Sequence, residues 1–368
     1  MKSLFGALGA ALAILTSGCG GPGSTPPAPA EWPYHGGDQQ EQRYSPLDAI
    51  NRDTVGRLGL AWYHEFESDR GQEATPIVSD GVIYVSTGWA EIYAFDAETG
   101  KQLWRYDPEV PRSALVSACC DAVNRGVAVW NGKVYFGTLD GRLIALNART
   151  GRRVWEEVTV DQSRPYTITG APRAARGLIF IGNGGAEYGV RGYVSAYDAN
   201  SGRLRWRFYT TPNPREADDA ASDSVRDQAL ATWNPDAGAW LESGGGGTAW
   251  DAIVFDPETD TLWIGVGNGA PWNREIRSPS IEGRHNDNLF LSSVVGVDPD
   301  TGAYKCHYQE TPGETWDYTG TQPIILSTLT IGGAERQVLM HAPKNGFFYV
   351  IDRTNCGLIS AGSIATQT

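Results

Sequence analysis

The sequence predicts an all-β fold, a β-propeller of four-stranded blades, and three observations carry that reading. First, a segment repeats. Ala94-Phe-Asp-Ala-Glu-Thr-Gly-Lys-Gln-Leu-Trp104 aligns with Ala145-Leu-Asn-Ala-Arg-Thr-Gly-Arg-Arg-Val-Trp155 and Ala196-Tyr-Asp-Ala-Asn-Ser-Gly-Arg-Leu-Arg-Trp206, so that Gly100, Gly151 and Gly202 recur every 51 residues, as do the tryptophans. Second, each copy reads as a strand, an Asp-x-x-Thr-Gly type of turn and a second strand ending in an aromatic. Another strand stands before it, as in Gly81-Val-Ile-Tyr-Val-Ser-Thr87 and Gly132-Lys-Val-Tyr-Phe-Gly-Thr138. The turn has a physical cause, because Asp folds back onto its own backbone and Gly takes the positive φ. Third, 45 glycines, 13 Trp and 16 Tyr in 368 residues favour many short strands over helices. Four short strands in a period near 50 residues fit a propeller rather than a helical solenoid.

Taken in order, the chain opens on an expected signal peptide over residues 1–19: Lys2, an apolar run Leu4–Leu15, then small residues. Cys19 offers a lipid-attachment site of the bacterial lipoprotein kind, and ordinary cleavage near Gly18 is the alternative. Either way the mature protein is expected to be exported, into a compartment where disulfides persist. Residues 20–31 form a Pro/Gly-rich linker without a core of its own. Residues 32–368 hold the propeller. Weaker copies of the turn follow at Val254-Phe-Asp-Pro-Glu-Thr-Asp-Thr-Leu-Trp263, Gly296-Val-Asp-Pro-Asp-Thr-Gly302 and Val350-Ile-Asp-Arg-Thr-Asn355, giving six in all and an expectation of about six blades. The last copy stops almost at Thr368, so the ring is expected to be incomplete at the C-terminal side. The repeat tryptophans are expected to pack between neighbouring blades. A net charge of −13 argues against a nucleic-acid partner, which needs a basic face.

The segments that break the repeat carry the chemistry. Cys119 and Cys120 are adjacent in Ser117-Ala-Cys-Cys-Asp-Ala-Val-Asn-Arg-Gly126. Successive Cα atoms lie about 3.8 Å apart, short of the roughly 4.4–6.8 Å of a relaxed disulfide. Two readings are open: a small strained ring of the kind found at functional sites, or two reduced thiols on a loop, which residue types alone favour. Arg125 puts a cation five residues on. Glu187 lies in the glycine-rich Gly182-Asn-Gly-Gly-Ala-Glu-Tyr-Gly-Val-Arg-Gly192, and Asn268 in Gly265-Val-Gly-Asn-Gly-Ala-Pro-Trp-Asn273. Asp317 is flanked by aromatics that are expected to exclude water. Lys344 follows a Pro, and Gly244–Gly247 allow a close backbone approach beside the Trp250 indole. Singly these are turn glycines, a capping Asn and solvated charges. Together they supply oxygens suited to a hard cation such as Ca²⁺, a candidate base, two cations and an indole face, on loops that a ring brings to one axis.

With Trp32-Pro-Tyr-His-Gly-Gly-Asp38, the adjacent cysteines and Asp121-Ala-Val-Asn-Arg-Gly126, Gly185-Ala-Glu-Tyr-Gly189, Thr315-Trp-Asp-Tyr318 and Ala342-Pro-Lys-Asn-Gly346, the chain resembles the pyrroloquinoline-quinone (PQQ)-dependent alcohol dehydrogenases, quinoproteins and quinohaemoproteins with an eight-bladed propeller. That resemblance implies a bound PQQ and Ca²⁺, with a Cys119–Cys120 disulfide on one face of the quinone and Trp250 on the other. Glu73, Arg125, Thr169 (with Thr167 as neighbour), Gly185, Ala186 and Thr248 would hold the cofactor, and Lys344 its reactive oxygens. Glu187, Asn268 and Asp317 would bind the metal, Asp317 serving also as catalytic base. Thr319, where lanthanide-using relatives carry Asp, favours Ca²⁺. The implied activity is oxidation of an alcohol to an aldehyde or ketone in the periplasm, with electrons passing to a cytochrome c-type acceptor, a separate protein or a following domain. No Cys-x-x-Cys-His occurs, so no c-type haem site is expected in this chain. Membrane contact is expected only through an anchor at Cys19. Cys306 reads as a small core residue and Cys356 as part of a frayed end. The competing readings are a non-catalytic propeller scaffold, which would lack the paired cysteines, Glu187, Asn268, Asp317 and Lys344, and an inactive remnant of the dehydrogenase.

Overall fold

A computed structural model describes residues 31–213, 215 and 221–366; the expected signal peptide with Cys19, and the linker up to residue 30, lie outside the described residues. The chain forms five four-stranded antiparallel sheets, each a consecutive meander. Blade 1 holds β1 (Ile77–Ser79), β2 (Val82–Ser86), β3 (Ile92–Asp96) and β4 (Gln102–Tyr106); blade 2 holds β5 (Ala128–Trp130), β6 (Lys133–Gly137), β7 (Arg142–Asn147) and β8 (Arg153–Val158). Blade 3 comprises β9 (Arg173–Ala175), β10 (Leu178–Gly182), β11 (Tyr193–Asp198) and β12 (Leu204–Tyr209), and blade 4 β13 (Ile253–Asp256), β14 (Thr261–Gly265), β15 (Ser293–Val297) and β16 (Tyr304–Gln309). Blade 5 is built from β17 (Ile325–Ile331), β18 (Ala334–His341), β19 (Phe347–Asp352) and β20 (Leu358–Ser363). The short strands β1, β5, β9 and β13 contact one another in sequence, so the first strand of each blade lies innermost. Every blade carries a register shift between its third and fourth strands, at Ala94/Phe95 in blade 1 and at the matching positions of the others. Such an extra residue raises the local twist.

The turn chemistry is as the sequence predicts. Asp96 Oδ1 accepts the Thr99 N–H at 2.8 Å and its hydroxyl at 2.6 Å, and Asp198 and Asp298 do the same for Ser201 and Thr301. Six turn copies map onto five blades because Asp256–Asp260 joins β13 to β14 while Asp298–Gly302 joins β15 to β16 of the same sheet.

The tryptophans lock the blades together. The Trp104 indole N–H donates to Ala148 O at 2.8 Å, Trp155 to Ala199 O at 3.1 Å and Trp206 to Pro299 O at 2.9 Å, each in the turn of the next blade. Trp62, ahead of blade 1, does the same to Ala97 O at 3.1 Å. A Cβ on Gly151 would fall 2.7 Å from the Trp104 ring, and one on Gly202 2.9 Å from Trp155. The turn glycine therefore serves twice, taking the left-handed conformation and leaving a flat seat for the indole.

Between blades 4 and 5 that lock is replaced. Counting from the turn, Cys306 stands where the first three copies have Trp, and Cys356, at φ 61°, stands where those copies have Gly. The two are disulfide-bonded, with Cα atoms 5.9 Å apart. Cys306 is thus not a free core thiol, and Cys356 is no frayed end but a buried residue. A covalent link occupies the site of the indole–glycine contact.

The segment from Trp32 to Arg43 crosses several blades. Trp32 pairs with Val78, Gln40 O accepts the Leu326 N–H at 2.9 Å, and Glu41 pairs with Arg173 at 3.3 Å. Burial pushes the Glu41 carboxyl up, but Arg173, then His35 and Arg43, together hold it below the usual range. Among the described residues the α-helices are short, the longest spanning Arg226–Leu230. Among the described residues no helix is long and apolar enough to cross a membrane.

Replacing Cys306 and Cys356 together by Ser should lower stability by about 2–4 kcal/mol, measured by chemical denaturation. Reductant should shift the wild-type midpoint far more than that of the double variant, which keeps only the Cys119–Cys120 link.

Candidate functional site

In an antiparallel meander the start of the first strand, the link from second to third and the end of the fourth all lie at one end of the blade. Every irregular loop singled out in the sequence sits at such a position. Glu73 precedes β1, Arg125 precedes β5, Thr169 precedes β9, and Thr248 and Trp250 precede β13. Gly185, Ala186 and Glu187 follow β10, Asn268 follows β14, Asp317 follows β16 and Lys344 follows β18. These loops meet around a cavity of about 330 Å³ lined by Cys119, Cys120, Arg125, Thr169, Gly185, Glu187, Thr248, Trp250, Asn268, Asp317 and Lys344. Glu73 stands behind the wall, paired with Arg125 at 2.8 Å. Ala186 is buried in the single turn that presents Glu187.

Cys119 and Cys120 are joined by a disulfide across a Cα separation of 3.8 Å, which decides between the two sequence readings in favour of the ring. Asp121, at φ 81°, anchors it: its carboxylate accepts the Ala122 N–H at 2.8 Å, the Gly71 N–H at 3.4 Å and Arg70 at 3.0 Å. The Ala122 N–H foremost, with Gly71 and Arg70, holds this carboxyl below its usual range. The disulfide loop is thereby tied to the segment that carries Glu73, ahead of β1.

The Arg125 guanidinium lies 4.7 Å from the Trp250 ring centre and donates to Thr169 Oγ1 at 2.6 Å. Glycines let the Trp250 backbone sit this close: a Cβ on Gly170 would fall 2.3 Å from Trp250 O, and one on Gly182 1.9 Å from Ala249 O. Thr167 lines the cavity beside Thr169, so both threonines are placed to contact a ligand.

Opposite Arg125 the wall is made of oxygens. Asn268, buried, donates its side-chain N–H to Glu187 Oε1 at 3.2 Å. Asp317, at φ 59°, is half-buried and forms an ion pair with Lys344. Among the described residues no group of three His, Cys, Asp or Glu side chains is arranged to hold a metal ion by itself. Two carboxylates and an amide, with no sulfur or imidazole, fit a hard cation whose remaining ligands come from a bound molecule or water. An exchange of the Asn268 amide ends would turn its oxygen toward Glu187 and complete the donor set. Trp316 does not form the expected aromatic shield over Asp317: it is 72% exposed and does not line the cavity.

Sequence reasoning missed Gln322, which lines the cavity together with Thr319 from the stretch following Asp317. The side-chain oxygen of Gln322 is buried without a hydrogen-bond partner. An unpaired acceptor of this kind is costly, and a ligand donor would satisfy it.

Residues 32–359 match the family described as PQQ: glucose/ethanol/alcohol dehydrogenase, beta-propeller domain. Quinohemoprotein alcohol dehydrogenase ADH IIB of Pseudomonas putida is 55% identical over 345 residues, covering 94% of this chain and 49% of that protein. Among solved structures, quinohemoprotein alcohol dehydrogenase ADHIIG from Pseudomonas putida HK5 superposes with a TM-score of 0.87 at 54% identity, over 92% of this chain and 48% of that one. The quinohemoprotein alcohol dehydrogenase from Comamonas testosteroni gives a TM-score of 0.86 at 53% identity, over 91% and 49% of the two chains. The chain spans about half the length of the relatives it matches.

Gly170→Ala should cost about 1–3 kcal/mol through the clash with Trp250 O. The control Gly362→Ala, whose Cβ meets nothing within 4 Å, should stay within about 0.5 kcal/mol of wild type in the same denaturation assay.

Proposed function

Since the chain belongs to the PQQ glucose/ethanol/alcohol dehydrogenase β-propeller family, we propose that its cavity binds PQQ and Ca²⁺ and oxidises an alcohol to an aldehyde or ketone. The observation that carries this reading is the cavity itself, with the Cys119–Cys120 disulfide and the Trp250 indole in its walls together with cations and oxygens. When bound, the quinone supplies the hydride acceptor and the cation polarises it as a Lewis acid.

The chain's own residues do the rest. The disulfide and the indole present two apolar surfaces that confine a planar ring. Arg125, held by Glu73 and Thr169, and the threonine hydroxyls offer donors to carboxylates and carbonyls. Glu187, Asn268 and Asp317 are the oxygen ligands for the cation. Asp317 then takes the alcohol proton on a carboxylate oxygen as the substrate's hydride departs. Lys344, its ion-pair partner, holds that carboxylate at the edge of the cavity.

Electrons are proposed to pass to a cytochrome c-type acceptor outside this chain, whose sequence lacks a haem attachment motif. Two disulfides, Cys119–Cys120 and Cys306–Cys356, support export to an oxidising compartment such as the periplasm.

The full-length protein, loaded with PQQ and Ca²⁺, should reduce a dye in the presence of a short alcohol. Asp317→Asn should cut kcat about 10²–10⁴-fold, the usual contribution of a positioned base, with PQQ still bound. A wild-type protein that binds PQQ and Ca²⁺ but reduces no dye with any alcohol would sink the enzyme reading in favour of a binding scaffold.

A further inference from the structure

The carboxylate of Glu314 lies three residues before Asp317, and neither it nor its partner Arg277 exposes any side-chain surface. Its contacts reach both loops of the cation half of the cavity. Oε1 accepts the N–H of Gly269, next to Asn268, at 2.7 Å. Oε2 accepts the N–H groups of Trp316 at 3.1 Å and Tyr318 at 3.3 Å, the residues on either side of Asp317. One side chain thus receives backbone hydrogens from the Asn268 loop and from the Asp317 loop.

Arg277 backs this arrangement. It donates to Glu314 Oε1 at 3.4 Å, to Glu314 O at 2.7 Å, to Pro271 O at 2.8 Å, to Trp272 O at 3.0 Å and to Asn288 Oδ1 at 3.0 Å. A Cβ on Gly269 would fall 2.4 Å from the guanidinium carbon, so this backbone lies flat on Arg277. Burial pushes the guanidinium down to about 10, still charged at neutral pH. A buried ion pair is a poor source of stability, since well-packed apolar residues often do as well. What this pair supplies is placement. The short helix Arg274–Arg277 and the loops at 268–272 and 314–318 are all referred to one fixed anion.

We infer that Glu314, braced by Arg277, is a positioning residue that holds Asn268 and Asp317 in register as ligands of one cation; this rests on the Ca²⁺ reading above. Outer groups that orient metal ligands typically govern about 10–100-fold in metal affinity. Glu314 touches neither the cavity nor the reacting atoms, so it acts only through the two loops.

Glu314→Gln keeps size and one acceptor oxygen, but its amide must turn N–H groups toward Gly269 or toward Trp316 and Tyr318. The variant, in the full-length protein, is titrated with Ca²⁺ after PQQ loading, following quinone absorbance, and its PQQ affinity is measured separately in EDTA. The expected result is a Ca²⁺ dissociation constant raised about 10–100-fold, PQQ affinity in EDTA unchanged, and alcohol-dependent dye reduction restored by excess Ca²⁺. If the single variant folds poorly, Glu314→Gln with Arg277→Met removes both buried charges and is expected to show the same selective loss of Ca²⁺. Wild-type Ca²⁺ affinity in these variants, or an equal fall in PQQ and Ca²⁺ affinity in both, would overturn the brace while leaving the cofactor reading intact. A wild-type protein that takes up PQQ but no Ca²⁺ would overturn the cation reading and the brace with it.

Discussion

The contact on which the rest depends is an indole lying on a glycine. A four-stranded sheet has two faces to bury, and in this chain it buries them against its neighbours. The Trp of one blade covers the turn of the next and donates to its carbonyl, as Trp104 does to Ala148 and Trp206 to Pro299. Because the same atoms meet at successive junctions, the blades keep a common orientation and their first strands stay innermost. Loops placed before those strands are then forced together. Crowding is so tight that a Cβ on Gly170, Gly182 or Gly192 would strike the backbone of the following loop within 2.3 Å. The cavity follows from ring geometry, and its residues need no contact with one another along the chain.

The same logic explains what could be read from sequence. The turn and the tryptophan act through side chains at fixed spacing, so their repeat is visible directly. The number of copies misleads because an Asp-x-x-Thr turn uses only local bonds. Asp256 accepts from Glu258, Thr259 and the Thr259 hydroxyl whichever strand pair it joins. Cys306 and Cys356 left a signal that was passed over: they lie 50 residues apart, close to the repeat, and fall on the Trp and Gly positions. The site residues were legible as chemical types and, through the family resemblance, as a set. Glu314 was not, because its partners are mostly backbone N–H groups, which no residue alphabet displays. Trp316 misled for the opposite reason, since an aromatic beside Asp317 in sequence need not cover it in space.

Charge gives the cavity its last constraint. The protein is acidic overall, with a net charge of −13, and the cations of the site are already engaged. Arg125 is paired with Glu73, Lys344 with Asp317, and Arg70 outside the rim with Asp121. Glu187 is left as a carboxylate with only the Asn268 amide beside it. Formally, then, the cavity carries more negative than positive charge, although the resemblance places a multiply anionic quinone there. In a partly enclosed space such a mismatch is not screened as it would be in water. The proposed divalent cation at Glu187, Asn268 and Asp317 would reverse the balance and share with Lys344 the role of counter-charge to Asp317. On the proposed reading, cofactor and cation would be coupled by electrostatics, each raising the affinity of the other by the same factor. The brace inferred for Glu314, which holds the two loops in register, would act on that coupling although it touches neither ligand.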